Sequence, residues 1–241
     1  MAKPKIAVCS MFRDSQVWFN KQTNQVYRLF SSLLDQTYGF ENLQCYFLEG
    51  DSLDNTNEVL QNLVEKYSNV KLFNKEATFN SVVSTTNKNR IKSMSNLGSY
   101  LINQVEEDLI FWVESDLIIK PDIIQRLYDR MTKIPESVSS VISAPCYYGK
   151  DGQFYDTWAY RNLDGSNWRP DTNMRNSGMV KMQSVGSCAL IRRANNLAVN
   201  FGDGAFVELC ERVNNSGGVV YADCNQSVEH PRNEFISGRW I

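Results

Sequence analysis

The sequence predicts an α/β fold in which helices cover both faces of a mostly parallel central sheet. Short apolar segments, each long enough for one strand, alternate four times with segments whose apolar residues recur at helical spacing. The fourth of these strands, Leu109–Val113, is apolar throughout, which is typical of a strand buried on both faces. This alternation predicts a right-handed, doubly wound sheet that binds its ligand along the carboxyl edge.

Strands are predicted in the first half of the chain at 5–9, 43–48, 70–73 and 109–113, and helices at about 20–36, 56–67, 90–105 and from 121 onward. Pro121 is the predicted start of the last of these helices, because its fixed φ angle suits the first helical position. In the second half, strands are predicted at 139–144, 185–191 and 219–222, and a short helix at 203–212. Gly186 in one of these strands is predicted to let a ligand approach the backbone closely.

A long segment between residues 147 and 180 has no clear periodicity but is rich in aromatic residues. They are Tyr147, Tyr148, Phe154, Tyr155, Trp158, Tyr160 and Trp168. Aromatic faces beside polar side chains suit the recognition of a sugar or a base. The alternative interpretation is a small aromatic core beneath a long loop.

Composition narrows the possible classes of protein. A chain of 241 residues is predicted to form one domain, with a nucleotide-binding half at 1–120 and an acceptor-side half at 121–241. The formal net charge of −2 gives no overall electrostatic reason to bind nucleic acid or a membrane surface. Six scattered cysteines and the lack of a long apolar segment predict a cytoplasmic protein without a membrane span. No phosphate-binding P-loop and no dinucleotide-binding glycine motif is present.

Two acids follow the fourth strand directly, Glu114 and Asp116. Acids at this position lie in the crevice where open α/β sheets bind ligands, and a divalent metal that bridges a diphosphate would be held there. Turn and capping chemistry also favours acids after a strand and remains the alternative explanation.

Several motifs together resemble those of GT-A-fold glycosyltransferases, most closely the fungal mannosyltransferases of the Anp1/Mnn9 and CAP59 types. The motifs are Glu49–Thr56, Arg90 with Asn96 and Leu97, Trp112–Asp116, Phe154–Arg161 and Phe206–Cys210. The matches are short, and the metal motif is Glu-x-Asp where many relatives have Asp-x-Asp.

The resemblance implies transfer of a hexose from a UDP- or GDP-sugar to an acceptor hydroxyl, with Mn²⁺ or Mg²⁺ and with retention of configuration. It implies that Asp116 binds the metal, that Glu114 contacts ribose or the metal through water, and that His230 completes the metal shell. Catalytic roles are implied for Asp156 and Glu208, Glu208 lying by the reacting carbon or the acceptor hydroxyl. Contacts to the donor are implied for Arg13, Glu49, Asp51, Arg90, Trp158, Arg161 and Gly186.

Structural explanations stay open for several of these residues. Asp51 and the nearby Asp54 also suit a turn, Arg90 also suits a helix surface, and His230, the only histidine, also suits a loop. The structure decides where each side chain lies.

The acceptor is not determined by the sequence, and a glycan, a protein or hydroxylated DNA bases all remain possible. DNA is considered because phage-encoded glycosyltransferases modify such bases and because residues 161–193 are locally basic. The cations of this segment are Arg161, Arg169, Arg175, Lys181, Arg192 and Arg193. Two other functions are weighed, a nucleotidyltransferase and an inactive carbohydrate- or partner-binding module. The first strand is followed by Ser10–Asp14, which lacks the glycines usual in nucleotidyltransferases.

Overall fold

The computed structural model describes residues 3–18, 21–22, 24–76, 87–149, 152–170, 177–194 and 200–231. Its strands are β1 (Ile6–Phe12), β2 (Val17–Trp18), β3 (Lys21–Gln22), β4 (Leu43–Glu49), β5 (Val70–Asn74), β6 (Leu109–Val113), β7 (Ser140–Ser143), β8 (Cys146–Tyr148), β9 (Met179–Lys181), β10 (Cys188–Arg192), β11 (Val219–Asp223) and β12 (Val228–His230). Its helices are α1 (Gln25–Leu34), α2 (Thr56–Lys66), α3 (Lys88–Ile102), α4 (Ile123–Met131) and α5 (Ala205–Asn215), with a 3₁₀ turn at Phe40–Asn42.

The main sheet has eight strands in the order β5-β4-β1-β6-β10-β7-β11-β9. The pairs from β5 to β6 and the pair of β7 with β11 are parallel. β10 runs antiparallel to both of its neighbours, and β9 is antiparallel to β11. The sheet is therefore mostly parallel, as predicted, but the start of β10 lies at the edge where β6 ends.

Helices cover both faces of the main sheet. Successive residues of a strand point to opposite faces, so a strand that is apolar throughout needs cover on both. Leu109, Phe111 and Val113 of β6 belong to the apolar layer that also contains α1, α2 and α4. Ile110 and Trp112 belong to the opposite layer, with α3 and α5. A strand that is apolar at every position is thus buried on both faces.

A second, two-stranded parallel sheet of β8 and β12 lies outside the main sheet. The segment after β6 joins it through an antiparallel bridge between Ile118 and Glu229. Their backbone N–H groups donate to each other's carbonyls at 2.8 and 3.1 Å. This small sheet, which the sequence analysis did not predict, brings the last described residues of the chain to the end of β6.

The boundaries differ from the predictions where the backbone overrides the apolar pattern. α1 begins at Gln25 rather than near residue 20, because Asn24 before it adopts a left-handed conformation with φ of 49°. α3 begins at Lys88, two residues earlier than predicted, because the Asn87 side chain accepts hydrogen bonds from the N–H groups of Asn89 and Arg90.

All six cysteines are buried and none forms a disulfide, as expected for small core residues. In the part of the chain that the structure describes, no helix is long and apolar enough to cross a lipid bilayer.

Candidate active site

The loops after β1, β4 and β6 meet at the carboxyl edge of the main sheet, together with the segment that leads into β10. The N–H of Gly50 donates to the carbonyl of Phe12 at 2.9 Å and joins the first two loops. The N–H of Glu114 donates to the carbonyl of Ser187 at 3.1 Å and joins the end of β6 to the start of β10. Most of the side chains predicted to bind the donor lie along this edge.

Asp116 and His230 are in direct contact although 114 positions separate them. The Nε2 atom of His230 lies 3.0 Å from Oδ2 of Asp116. The β8–β12 sheet creates this contact, because it holds His230 beside the segment that follows Asp116. His230 is almost fully buried, at 5% exposure, so its ring is held in place by its neighbours.

The hydrogen bonds of this pair fit the binding of a cation. Nδ1 of His230 must donate to the carbonyl of Pro231 at 2.9 Å, because a carbonyl can only accept. In the neutral ring, Nε2 then carries a lone pair that faces Oδ2 of Asp116. The other oxygen of Asp116, Oδ1, is buried and has no hydrogen-bond partner among the residues that the structure describes. A second proton on the ring or a bound metal would satisfy this arrangement, and the residues present fit a metal.

Asp116 and His230 would be a pair of ligands rather than a complete cage. Among the residues described, no group of three or more histidine, cysteine, aspartate or glutamate side chains is placed to hold a metal. Such a pair suits Mg²⁺ or Mn²⁺ at a nucleotide site, where phosphate oxygens and water supply the remaining ligands.

The two acids of the motif have opposite electrostatic environments. Burial raises the pKa of Glu114 well above its usual range, and the negative charges of Asp116 and Asp156 add to the shift. Burial also opposes ionisation of Asp116, but the hydrogen bond and charge that His230 supplies when its ring is protonated, with the charge of Arg28, outweigh it and lower the pKa of Asp116. Asp116 therefore carries the negative charge of the pair more readily than Glu114.

Asp156 lies within electrostatic reach of Glu114 and is fixed by two hydrogen bonds. Its Oδ1 accepts from the N–H of Ala159 at 3.2 Å, and its Oδ2 accepts from the Ser187 hydroxyl at 2.5 Å. A Cβ atom on Gly186 would lie 2.5 Å from Oδ2 of Asp156, which is closer than side chains tolerate. The close approach at Gly186 is thus made by Asp156 within the protein.

The loops after β1 and β4 are joined by polar side chains. Arg13 forms a partly exposed ion pair with Asp51 at 3.3 Å. Glu49 is buried, and its carboxylate accepts from the N–H groups of Asp51 and Ser52 at 3.2 and 2.7 Å. Asp51 has a left-handed φ of 54°, so the carboxylate of Glu49 helps to hold an unusual turn.

Asp54 is used for turn chemistry, the alternative that the sequence left open. Its carboxylate accepts from the backbone N–H of Gln16 at 2.9 Å and from the N–H and hydroxyl of Thr56. Its hydrogen bonds fix the start of α2 and connect it to the loop after β1.

Two arginines bring positive charge to the acids. Burial lowers the pKa of Arg90, and electrostatic interactions with Tyr155 and Glu114 oppose that shift. Arg28 on α1 donates to the backbone carbonyl of Asp116 at 2.7 Å. Arg28 was not predicted to take part in the site, and only the structure brings α1 beneath this loop.

The aromatic segment divides into two groups. Phe154, Tyr160 and Trp168 pack on one another with ring centroids 5.1 to 5.5 Å apart, which is the aromatic core of the alternative interpretation. Trp158 packs against the same apolar layer and is partly exposed. Arg161 donates to the carbonyls of Trp158 and Gly165 at 3.2 and 3.4 Å, so its guanidinium supports this segment.

The other aromatic group surrounds His230. The Tyr155 ring stacks on the His230 ring with centroids 4.0 Å apart and an interplanar angle of 24°. Tyr148 packs edge-on against both rings, at 5.0 Å from Tyr155 and 5.6 Å from His230. The sequence marked both tyrosines as members of an aromatic-rich segment but gave no sign that they contact the histidine.

Glu208 lies in the first turn of α5, and its carboxylate is occupied by local donors. Oε2 accepts from the N–H groups of Asp203 and Gly204 at 2.7 and 3.0 Å, and Oε1 accepts from Arg212 at 2.5 Å. The hydrogen bond to Arg212 is the main cause of the lowered pKa of Glu208. No described hydrogen bond or ion pair joins Glu208 to the acids after β6.

Fewer cations of the segment 161–193 lie free on the surface than its sequence suggests. Arg192 is buried, and its guanidinium donates to carbonyls of the connection between α4 and β7. Arg193 donates to the carbonyls of Val105 and Glu107. Arg169 and Lys181 are exposed, and Arg175 lies outside the described residues.

Comparison of the sequence with models of protein families and with curated proteins found no match. Comparison of the fold with solved structures found a similar arrangement in crystal structures of S. aureus TarS residues 1–349. The complex with UDP-GlcNAc has a TM-score of 0.60 at 12% identity, over 98% of this chain and 62% of the TarS chain. The complex with UDP has a TM-score of 0.58 at 12% identity, over 94% and 60%.

A third structure of the same TarS fragment gives a TM-score of 0.56 at 14% identity and the same coverage of 94% and 60%. The chain thus spans about three fifths of the length of this fragment. At these identities the comparison shows the fold. It confirms the predicted α/β architecture of the GT-A type, with a Rossmann-like, mostly parallel sheet.

Proposed function

We propose that this protein is a metal-dependent glycosyltransferase that moves a hexose from a nucleotide diphosphate-sugar to an acceptor hydroxyl. The observation that carries the proposal is the contact of Asp116 with His230 at the carboxyl end of β6, where one oxygen of Asp116 is buried with no hydrogen-bond partner in the described part of the chain. A UDP-sugar is the first donor to test, because the similarly folded TarS fragment has been crystallised with UDP-GlcNAc. A GDP-sugar is the alternative donor.

Asp116 and His230 would hold Mn²⁺ or Mg²⁺, and Glu114 would contact the ribose or the metal through water. When bound, the ion neutralises the charge that develops on the leaving diphosphate. Arg90, which interacts electrostatically with Glu114, would add positive charge beside the phosphates.

The joined loops after β1 and β4 would form the nucleotide side of the site. Arg13 and Asp51 lie there with partly exposed side chains, while the buried Glu49 would act by shaping their turn. A rigid turn with polar groups at its surface is suited to hydrogen-bond a base or a ribose.

The region of Asp156 and Trp158 would bind the donor sugar. Asp156 is fixed by Ala159 and Ser187 beside Glu114, and Gly186 leaves the space that its carboxylate needs. Arg161 would act indirectly, by fixing the backbone of Trp158.

On the acceptor side, the resemblance assigns Glu208. Three donors already satisfy its carboxylate. We therefore propose that Glu208 fixes the start of α5, which packs on α3 and on Trp112 at the end of β6.

The first test is nucleotide binding with and without metal. Asp116→Asn is expected to weaken Mn²⁺-dependent UDP binding by on the order of 10²-fold, because an amide supplies no negative charge to the ion. Isothermal titration of UDP and GDP into the protein, with Mn²⁺ or with chelator, measures this. Asp108→Asn is the matched control, since Asp108 is an exposed acid before the opposite end of the same strand.

Equal binding of UDP by the wild type in Mn²⁺ and in chelator would contradict the metal role. Slow hydrolysis of a UDP-sugar by the wild type, lost in Asp116→Asn, would separate a transferase from an inactive binding module.

The acceptor and the stereochemical course are finer parts of the proposal. Retention rests on the resemblance, and nuclear magnetic resonance of the fresh product tests it through the anomeric configuration. A glycan or a protein hydroxyl is the proposed acceptor, because Arg161, Arg192 and Arg193 donate to internal carbonyls and are not arranged to bind phosphates. Labelled donor offered to glycans, proteins and hydroxymethylated DNA would show which is modified.

A further inference from the structure

Tyr155 packs on His230 and directly precedes Asp156 in the chain. The proposed function gives it no role. Its backbone N–H donates to the carbonyl of Cys146 at 2.8 Å, which fixes the residue beside β8. From that position the ring covers one face of His230 in a stacked arrangement. Tyr148 packs edge-on against both of these rings, so the three rings form one cluster.

The ring has a clear physical effect on His230. An imidazole that binds a metal must keep its lone pair directed at the ion, and rotation about its side-chain bonds would lose that direction. The hydrogen bond from Nδ1 to Pro231 restrains one side of the ring. Stacking by Tyr155 restrains the plane of the ring, which a single hydrogen bond leaves free to turn.

The hydroxyl of Tyr155 lies at the other end of the same side chain. The ring stacks on His230, whose Nε2 atom contacts Asp116, so the side chain lies beside the proposed metal site. A tyrosine hydroxyl is a hydrogen-bond donor at neutral pH. Within the described ranges of the chain this hydroxyl has no hydrogen-bond partner.

We propose that Tyr155 is a positioning residue with two separable roles, its ring orienting His230 and its hydroxyl donating a hydrogen bond to the donor diphosphate. This inference rests on the proposed function, since it places the diphosphate beside Asp116. A diphosphate oxygen is a strong acceptor, and a hydrogen bond from a hydroxyl to a charged oxygen is stronger than one between neutral groups.

Two substitutions separate the roles. Tyr155→Phe keeps the stacking ring and removes the hydroxyl. Tyr155→Met removes the planar ring but fills a similar volume with a flexible apolar side chain, which limits damage to the fold. Tyr128→Phe is the control, because Tyr128 lies on α4 in an aromatic contact with Tyr38.

The experiment measures two apparent binding constants, that of Mn²⁺ at saturating UDP by electron paramagnetic resonance and that of UDP at saturating Mn²⁺ by calorimetry. Tyr155→Phe is expected to keep Mn²⁺ binding within about twofold and to weaken UDP binding about tenfold, the effect of one hydrogen bond to a charged group. Tyr155→Met is expected to weaken Mn²⁺ binding about tenfold or more. The thermal unfolding midpoint without ligand confirms that each variant is folded.

The outcomes are distinguishable. Unchanged Mn²⁺ binding in a folded Tyr155→Met variant would overturn the role of the ring. Unchanged UDP binding in Tyr155→Phe would overturn the role of the hydroxyl, and this variant decides that point even if the methionine variant does not fold. A wild type that binds neither Mn²⁺ nor UDP would overturn the proposed function itself, before any variant is compared.

Discussion

At the scale of single residues, Asp156 is a carboxyl whose burial favours its neutral form. Burial raises its pKa, although the hydrogen bonds from Ser187 and Ala159 act in the opposite direction. The folded state therefore holds this proton more tightly than the unfolded chain, where the pKa of an aspartate is about 3.9. As the pH rises from that value through the raised pKa, the folded state loses stability relative to the unfolded state.

Asp156→Asn is predicted to remove this pH dependence, because an amide does not ionise. The free energy of unfolding of the wild type, measured relative to the variant, should fall as the pH is raised from about 4 toward neutrality. Urea unfolding at a series of pH values measures both proteins. Glu114 is present in both proteins, and the part of its raised pKa that comes from the charge of Asp156 is lost in the variant, which changes the difference in the same direction. Stability curves that stay parallel across this range would show that the Asp156 pKa is not raised.

The sequence identified the charged residues of the candidate site better than the groups that those residues contact. Asp116 and His230 were both expected near a metal, and the structure places them 3.0 Å apart. Arg192 and Arg193 looked like surface cations, but each donates to internal carbonyls. A charge can be read from the sequence, whereas the direction of a long side chain depends on neighbours distant in the chain.

At the scale of elements, a side chain within α5 accepts hydrogen bonds from N–H groups at the start of the same helix. Glu208 accepts from the N–H groups of Asp203 and Gly204, which satisfies donors that a helix start leaves unpaired. A Cβ atom on Gly202, whose φ is 54°, would lie 2.1 Å from the Glu208 carboxyl, so glycine is required there. The carboxylate and the loop around it form one unit.

Glu208→Gln is predicted to destabilise the protein by about 0.5–2 kcal/mol, the range seen when a helix cap is lost. Turnover should stay within about tenfold of wild type, because the carboxylate is saturated by local donors. Chemical denaturation and steady-state kinetics on the same samples measure the two effects. Loss of turnover by more than about 10²-fold at unchanged stability would instead mean that Glu208 acts at the reacting centre.

Strands of the main sheet were predictable where they were apolar on both faces, as in β6 and β4. β8, β9 and β12 were missed because each is three residues long, which is too short for a periodic signal. β8 and β12 are defined by pairing with each other across about eighty intervening positions. No local sequence pattern could therefore predict the sheet that positions His230.

At the scale of the whole molecule, two separate sheets contribute residues to the candidate site. The main sheet supplies the acids at the end of β6, and the small β8–β12 sheet supplies the histidine. They are connected by the bridge between Ile118 and Glu229, two residues beyond Asp116 and one before His230. Assembly of the proposed metal site thus depends on the last described strand being in place.

His230→Ala is predicted to weaken Mn²⁺-dependent turnover by on the order of 10²-fold while the fold survives. The fold is expected to survive because the apolar anchor of β12 is Val228, which belongs to the larger core cluster and is unchanged. The main sheet also contains neither β8 nor β12, so the eight strands keep their pairing. Circular dichroism and thermal unfolding should therefore resemble those of wild type, while the Mn²⁺ concentration for half-maximal turnover rises. His230→Gln keeps a polar side chain without an imidazole and should show the same defect. Near-normal turnover with an unchanged metal requirement in both variants would show that His230 serves only to pack the tyrosines of the small sheet.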